Sequence, residues 1–200
     1  MVITFVVIFT RWCHNEKKIK ILKSKTYSMN LKKYYLFLFL FLFFTPAKSE
    51  LQKTLKNDTE YSFYAGTFDT IDKEGDDKAT LVGFEHNNPI LFRDTFVGKF
   101  SPITGGFITN KSSGYFYTGI QIKYEIGPVN IIPSFAPGYY EKGDGKDLGS
   151  VLEFKSQLKV SFDIFNNSNI GFSYSHISNN DWGKINPGVD NKKISFSKKF

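Results

Sequence analysis

From Glu60 to Phe200 one local pattern recurs: short runs in which apolar or aromatic residues alternate with polar or small ones, divided by Gly, Asn, Asp and Pro. Successive side chains on a strand point to opposite faces, so this alternation builds strands with one apolar face. A helix would need apolar residues three and four apart, and that period is not seen. Eight runs can be drawn, at about 60–69, 78–86, 95–108, 114–126, 129–141, 148–164, 168–178 and 189–200. In the sixth, Val151, Glu153, Lys155, Gln157 and Lys159 alternate with Leu152, Phe154, Leu158 and Val160. In the fourth, Tyr115, Tyr117, Gly119, Gln121 and Lys123 oppose Phe116, Ile120, Ile122 and Tyr124.

The connections alternate too. Polar, mostly charged loops (DKEGDD, NKSSG, EKGDGKD and 179–188) take turns with the tight Gly127-Pro128 and the short NNSN, and 87–94 is a longer exception. Short turns at one end and longer polar loops at the other are expected of an all-β, eight-stranded antiparallel transmembrane β-barrel of outer-membrane type. In such a barrel the apolar face meets lipid and the polar face fills the inside. In a soluble periplasmic sandwich or lipocalin-like barrel the apolar face would be the core, and periodicity does not separate the two. Three features favour the membrane: an export signal, abundant aromatics, and Phe200 closing an alternating terminal strand.

The export signal begins at Met29. Lys32 and Lys33 precede an apolar stretch, Leu36 to Phe44, and Ala47-Lys48-Ser49 is a small-x-small cleavage site before Glu50. The apolar stretch is too short to span a bilayer as a helix. Residues 1–28 lie upstream of this complete signal, and a start codon assigned too early is the expectation, with an N-terminal anchor as the alternative. Residues 50–200 then form a single barrel domain. Nine of the 26 Lys+Arg and one of the 19 Asp+Glu fall in residues 1–49, which leaves 17 basic against 18 acidic residues, or net −1. The overall +7 is therefore a property of the leader, and nucleic acid is not an expected partner. The single cysteine, Cys13, also lies in the leader, so residues 50–200 hold neither disulfides nor thiolate metal sites.

The chemistry gathers near the C-terminus. His176 and Ser178 are two apart on one strand and share parity with Ile170, Phe172 and Tyr174, which makes a base and a hydroxyl neighbours on an apolar face. Asp190 opens the last run, shares parity with Ile194 and Phe196, and antiparallel pairing across 179–188 brings it beside His176. A serine needs a base to become a nucleophile, and that base needs an orienting acid. The three residues in this order point to a hydrolase whose nucleophile faces lipid.

The segment HISNNDWGKINPGVD resembles the C-terminal signature of the PagL-type lipid A deacylases, also called acyloxyacyl hydrolases. The shared positions are His176, Ser178, Asn179, Asn186, Gly188 and a carboxylate at Asp190. The resemblance implies an eight-stranded barrel in the bacterial outer membrane that hydrolyses the ester-linked acyl chain at the 3-position of lipid A. It implies His176 as general base, Ser178 as nucleophile and Asp190 as the orienting acid. Asn186 and Asn179, with the backbone amide at Asn180, would form the oxyanion hole. Lipid A within lipopolysaccharide is the implied substrate, with neither cofactor nor metal. Relatives carry Glu at the Asp190 position and often a small residue at the Asn180 position.

Other features read more plainly. Asp69, Asp72, Glu74, Asp76 and Asp77 form a solvated hairpin tip; His86 and Trp182 are interfacial aromatics; Asn186-Pro187-Gly188 is a turn. A homodimer is compatible with the sequence. Two other functions stay open: a non-enzymatic small barrel that stabilises the membrane or binds through its loops, and a soluble periplasmic lipid-binding barrel.

Overall fold

The computed structural model describes residues 59–71, 78–165 and 167–200. The expected signal peptide at 29–49, the upstream extension 1–28, and Asp72, Glu74, Asp76 and Asp77 lie outside the described residues. The strands are β1 (Glu60–Phe68), β2 (Ala79–Asn87), β3 (Arg93–Thr95), β4 (Gly98–Thr109), β5 (Gly114–Ile122), β6 (Tyr124–Ile126), β7 (Val129–Glu141), β8 (Leu152–Phe165), β9 (Ser168–Ser178) and β10 (Val189–Lys199). They pair in the order β2-β1-β10-β9-β8-β7-β5-β4, and β2 pairs with β4 to close the ring. Every pairing is antiparallel. The result is the expected closed barrel of eight long strands, with β3 folded back on the start of β4 and β6 continuing β5 alongside β7.

Closure decides which face of each strand is inside, and it turns the apolar face out. Phe63, Ile108, Phe116, Phe172 and Ile194 are all more than half exposed, whereas Glu85, Lys155, Lys159 and Lys193 are buried in the lumen. This is the reverse of a soluble core and the arrangement a bilayer requires. Buried charges need partners, and Glu85, Lys155, Lys159 and Lys193 find theirs inside the lumen. Lys155 Nζ lies 3.2 Å from Glu85 Oε2 and over the Tyr117 ring, and the Tyr117 hydroxyl donates to the same Glu85 oxygen at 2.7 Å. Lys159 reaches Glu60 at 3.6 Å and donates to Ser197 Oγ, and Lys193 donates to Gln157 Oε1.

The strands alternate in direction, so the β1–β2, β4–β5, β7–β8 and β9–β10 connections share one end, called here the loop end. At this end the lumen becomes apolar: Phe68, Leu81, Phe107, Tyr115, Tyr140, Leu148, Ile177 and Val189 belong to one buried cluster. Asp69 lies here as well, but not as a solvated tip. It is buried and ion-paired to Lys146 at 2.6 Å, with its backbone N–H donating to Asn191 Oδ1. A carboxylate read as solvated from its acidic neighbours was instead drawn in by a lysine distant in sequence.

Candidate active site

The site sits at the loop end of β9 and β10. Alternation anchors it, because Ile177 and Val189 point inward and are fully buried, while His176, Ser178 and Asp190 point outward. The register pairs Asp190 directly with His176, and His176 Nδ1 and Asp190 Oδ1 are 3.0 Å apart. With the carboxylate ionised the ring donates through Nδ1, leaving Nε2 as its basic atom. The His176 side chain is 31% exposed, so its outer edge is accessible from the barrel exterior.

Asp190 also takes a hydrogen bond from the Tyr174 side chain. Tyr174 is two residues before His176 on the same outward row and pairs with Lys192, which places it diagonal to Asp190 and within reach of a long aromatic side chain. The backbone carbonyl of Asp190 accepts from Thr70 N–H at 2.7 Å. Asp190 is thus held through both its side chain and its main chain.

Gly188 makes room for the histidine. Its φ is +62°, and a Cβ there would come within 2.9 Å of His176 Cε1 and 3.2 Å of Nε2. The ring edge carrying Nε2 therefore packs on a bare backbone. Ser178 ends β9 and pairs with Phe154 on β8, whose ring meets Trp182 edge-on at 5.1 Å. Among the described residues Ser178 Oγ forms no hydrogen bond to the ring; such contacts commonly tighten only in the substrate complex.

Beyond Ser178 the chain turns through Asn180 and Asp181, both at positive φ, and Trp182 N–H donates to the Asn179 carbonyl. This is the conformation of a primed hairpin turn, which Asn and Asp tolerate well. Asn179 is fully buried, and its Nδ2 donates to the carbonyls of Leu148 (2.7 Å) and Ile185 (2.8 Å). Its N–H donates to Asn186 Oδ1 at 3.1 Å, and Asn186 Nδ2 donates to Asp181 Oδ1. Both Asn179 side-chain protons are therefore committed, one tying loop 179–188 to loop 142–151 and the other bracing loop 179–188 internally. The two loops meet through glycine: Gly149 has φ +87°, and a Cβ there would strike the Ile185 carbonyl.

Residue spacing brought out His176, Ser178 and Asp190 together with their shared face. It did not bring out the part played by Tyr174, although parity with His176 and the diagonal to Asp190 were both readable. The bracing by Asn179 carried no local signal, since its partner Leu148 lies 31 residues away.

A family model described as "Lipid A 3-O-deacylase (PagL)" matches residues 81–199. None of the curated proteins matches the chain in sequence. Among solved structures, the crystal structure of the outer membrane enzyme PagL superposes with a TM-score of 0.54 at 13% identity, covering 70% of this chain and 98% of that one. A de novo designed transmembrane β-barrel gives 0.51 at 10% identity, covering 74% and 100%. The designed barrel's similarity is one of architecture, so fold resemblance carries no chemistry by itself; the sequence-level family match does.

Proposed function

The chain belongs to the PagL family of lipid A 3-O-deacylases, and from that premise we propose that it is a serine esterase acting on the outside of its barrel, with Ser178 as nucleophile, His176 as general base and Asp190 as the acid that orients the base. In this mechanism His176 Nε2 takes the Ser178 Oγ proton as the oxygen attacks the ester carbonyl of the 3-linked acyl chain. The tetrahedral oxyanion collapses as the sugar oxygen leaves with that proton, giving an acyl-serine. Water, deprotonated by the same ring, then releases the fatty acid and restores Ser178.

The observation that supports this most is the 3.0 Å His176–Asp190 contact on an outward face that also carries Ser178. A triad buried in a lumen could not meet a bilayer lipid; one on the apolar exterior meets it without extracting it. For the oxyanion, the donors we favour are the Asn180 backbone N–H and the second Nδ2 proton of Asn186. Asn179 contributes by holding both, because its own side-chain donors are engaged. The location that goes with this reading is the bacterial outer membrane, with the loop end in the leaflet that contains lipid A.

Mass spectrometry of lipid A from cells expressing the protein is the test. The native chain should remove one ester-linked acyl chain, and Ser178→Ala should leave lipid A intact while the barrel still folds. Loss of the same chain with the alanine variant would remove Ser178 from the mechanism.

A further inference from the structure

The outer surface opposite the His176–Asp190 pair is notched. Going round the barrel from β9 through β8 and β7 reaches β5, and going from β10 through β1 and β2 reaches β4, so the β4–β5 pair lies across the barrel from the triad. There the exterior holds a groove of about 640 Å³ whose walls include Phe63, Phe84, Ile108 and Phe116. Its floor is made by two outward positions without side chains on adjacent strands. Gly106 pairs with Phe116, and Gly114 pairs with Ile108. A missing side chain at each leaves a channel between the flanking residues. The volume is in the range of sites that hold a ligand rather than a single water.

The groove opens at the loop end, the same end as the triad. Gly114 is the first residue of β5, and nothing lies within 4 Å of where its Cβ would stand. Its cross-strand neighbour Glu141 accepts a hydrogen bond from the Tyr139 hydroxyl at 3.1 Å, while Lys142, the next residue, is ion-paired to Asp147 at 3.6 Å. The mouth therefore presents a carboxylate and a tyrosine hydroxyl above an apolar slot.

We propose that this groove binds one acyl chain of a lipid A molecule other than the one undergoing hydrolysis. The identity of the occupant rests on the function proposed above. If Ser178 cleaves lipid A, the leaflet at the loop end is the lipid A leaflet, and a groove opening at that rim meets the same lipid. The headgroup chemistry agrees with the mouth. A phosphorylated glucosamine disaccharide offers amide and hydroxyl donors to Glu141, while the slot below takes a hydrocarbon chain.

The test counts retained lipids by native mass spectrometry on Ser178→Ala protein reconstituted with lipid A, so that nothing is consumed. Two lipid A molecules per barrel are expected. Adding Gly114→Trp, which fills the groove from its open mouth, should reduce the count to one. Phe116→Ala, which removes a wall, should reduce retention without adding bulk. In the otherwise native chain Gly114→Trp should deacylate lipid A at the native rate. The proposal is overturned if both variants retain as many lipid A molecules as the parent, or if phosphatidylethanolamine occupies the groove equally well. It is also overturned if Gly114→Trp converts a dimer to a monomer, which would make the groove an interface between copies. Failure of the native chain to deacylate lipid A would refute the esterase reading alone, because the difference in retained lipid does not depend on turnover.

Discussion

Asp190 holds His176 from directly across a strand pair, and Tyr174 holds Asp190 from the diagonal. The tyrosine hydroxyl matters most when the ring becomes imidazolium, since it helps keep the carboxylate facing Nδ1. Tyr174→Phe should therefore lower kcat about tenfold, some 1.4 kcal/mol, with KM nearly unchanged. Steady-state kinetics on lipid A in mixed micelles separates the two constants, and a loss confined to KM would assign Tyr174 to substrate binding. Gly188 is the second such residue. Gly188→Ala puts a methyl group against the histidine ring in a left-handed backbone that costs alanine about 1–2 kcal/mol. Deacylation should fall by more than tenfold while the folded fraction in detergent stays near native; equal losses in both would make the glycine structural only.

At the scale of elements, the site is the junction of β9, β10 and two loops. The strands deliver His176, Ser178 and Asp190 by parity, but the turn after Ser178 is held by loop 142–151 through Asn179. Asn179→Ala removes two buried donors and orphans the carbonyls of Leu148 and Ile185, at a cost of roughly 2–4 kcal/mol. The expected outcome is a lower melting temperature together with faster proteolysis in loop 179–188, measured on the same preparation. Proteolysis unchanged from the native chain would show that the loops are held by other contacts. The strand positions were legible in the sequence because period-two alternation is a local property. The brace was not, because no spacing rule joins Asn179 to a carbonyl in another loop. Asp69 is similar: its acidic neighbours suggested solvent, whereas Lys146 and Asn191 bury it.

At the scale of the whole molecule, the barrel separates stability from chemistry. Paired charges lie inside the cylinder, and His176, Ser178 and Asp190, the groups proposed to react, stand outside on the apolar face. Lys155→Met strands Glu85 in the lumen and should destabilise the barrel by roughly 3–5 kcal/mol, whereas adding Glu85→Leu should recover most of it. The heat-induced gel shift of the folded barrel reads both, and deacylation per folded molecule should stay at the native level. A double variant no more stable than the single would mean that the pair is not coupled.

By itself the sequence determined the strands, their two faces, the outward row carrying His176 and Ser178, and the parity of Asp190. All of these follow from a two-residue period that any local segment displays. Closure of the sheet decided the rest. It turned the apolar face toward lipid, buried Asp69 against Lys146, joined Asn179 to the carbonyl of Leu148, and left a notch on the face opposite. Those outcomes depend on which strands meet and in what register, and the hydrogen bonds that set register join residues far apart in the chain.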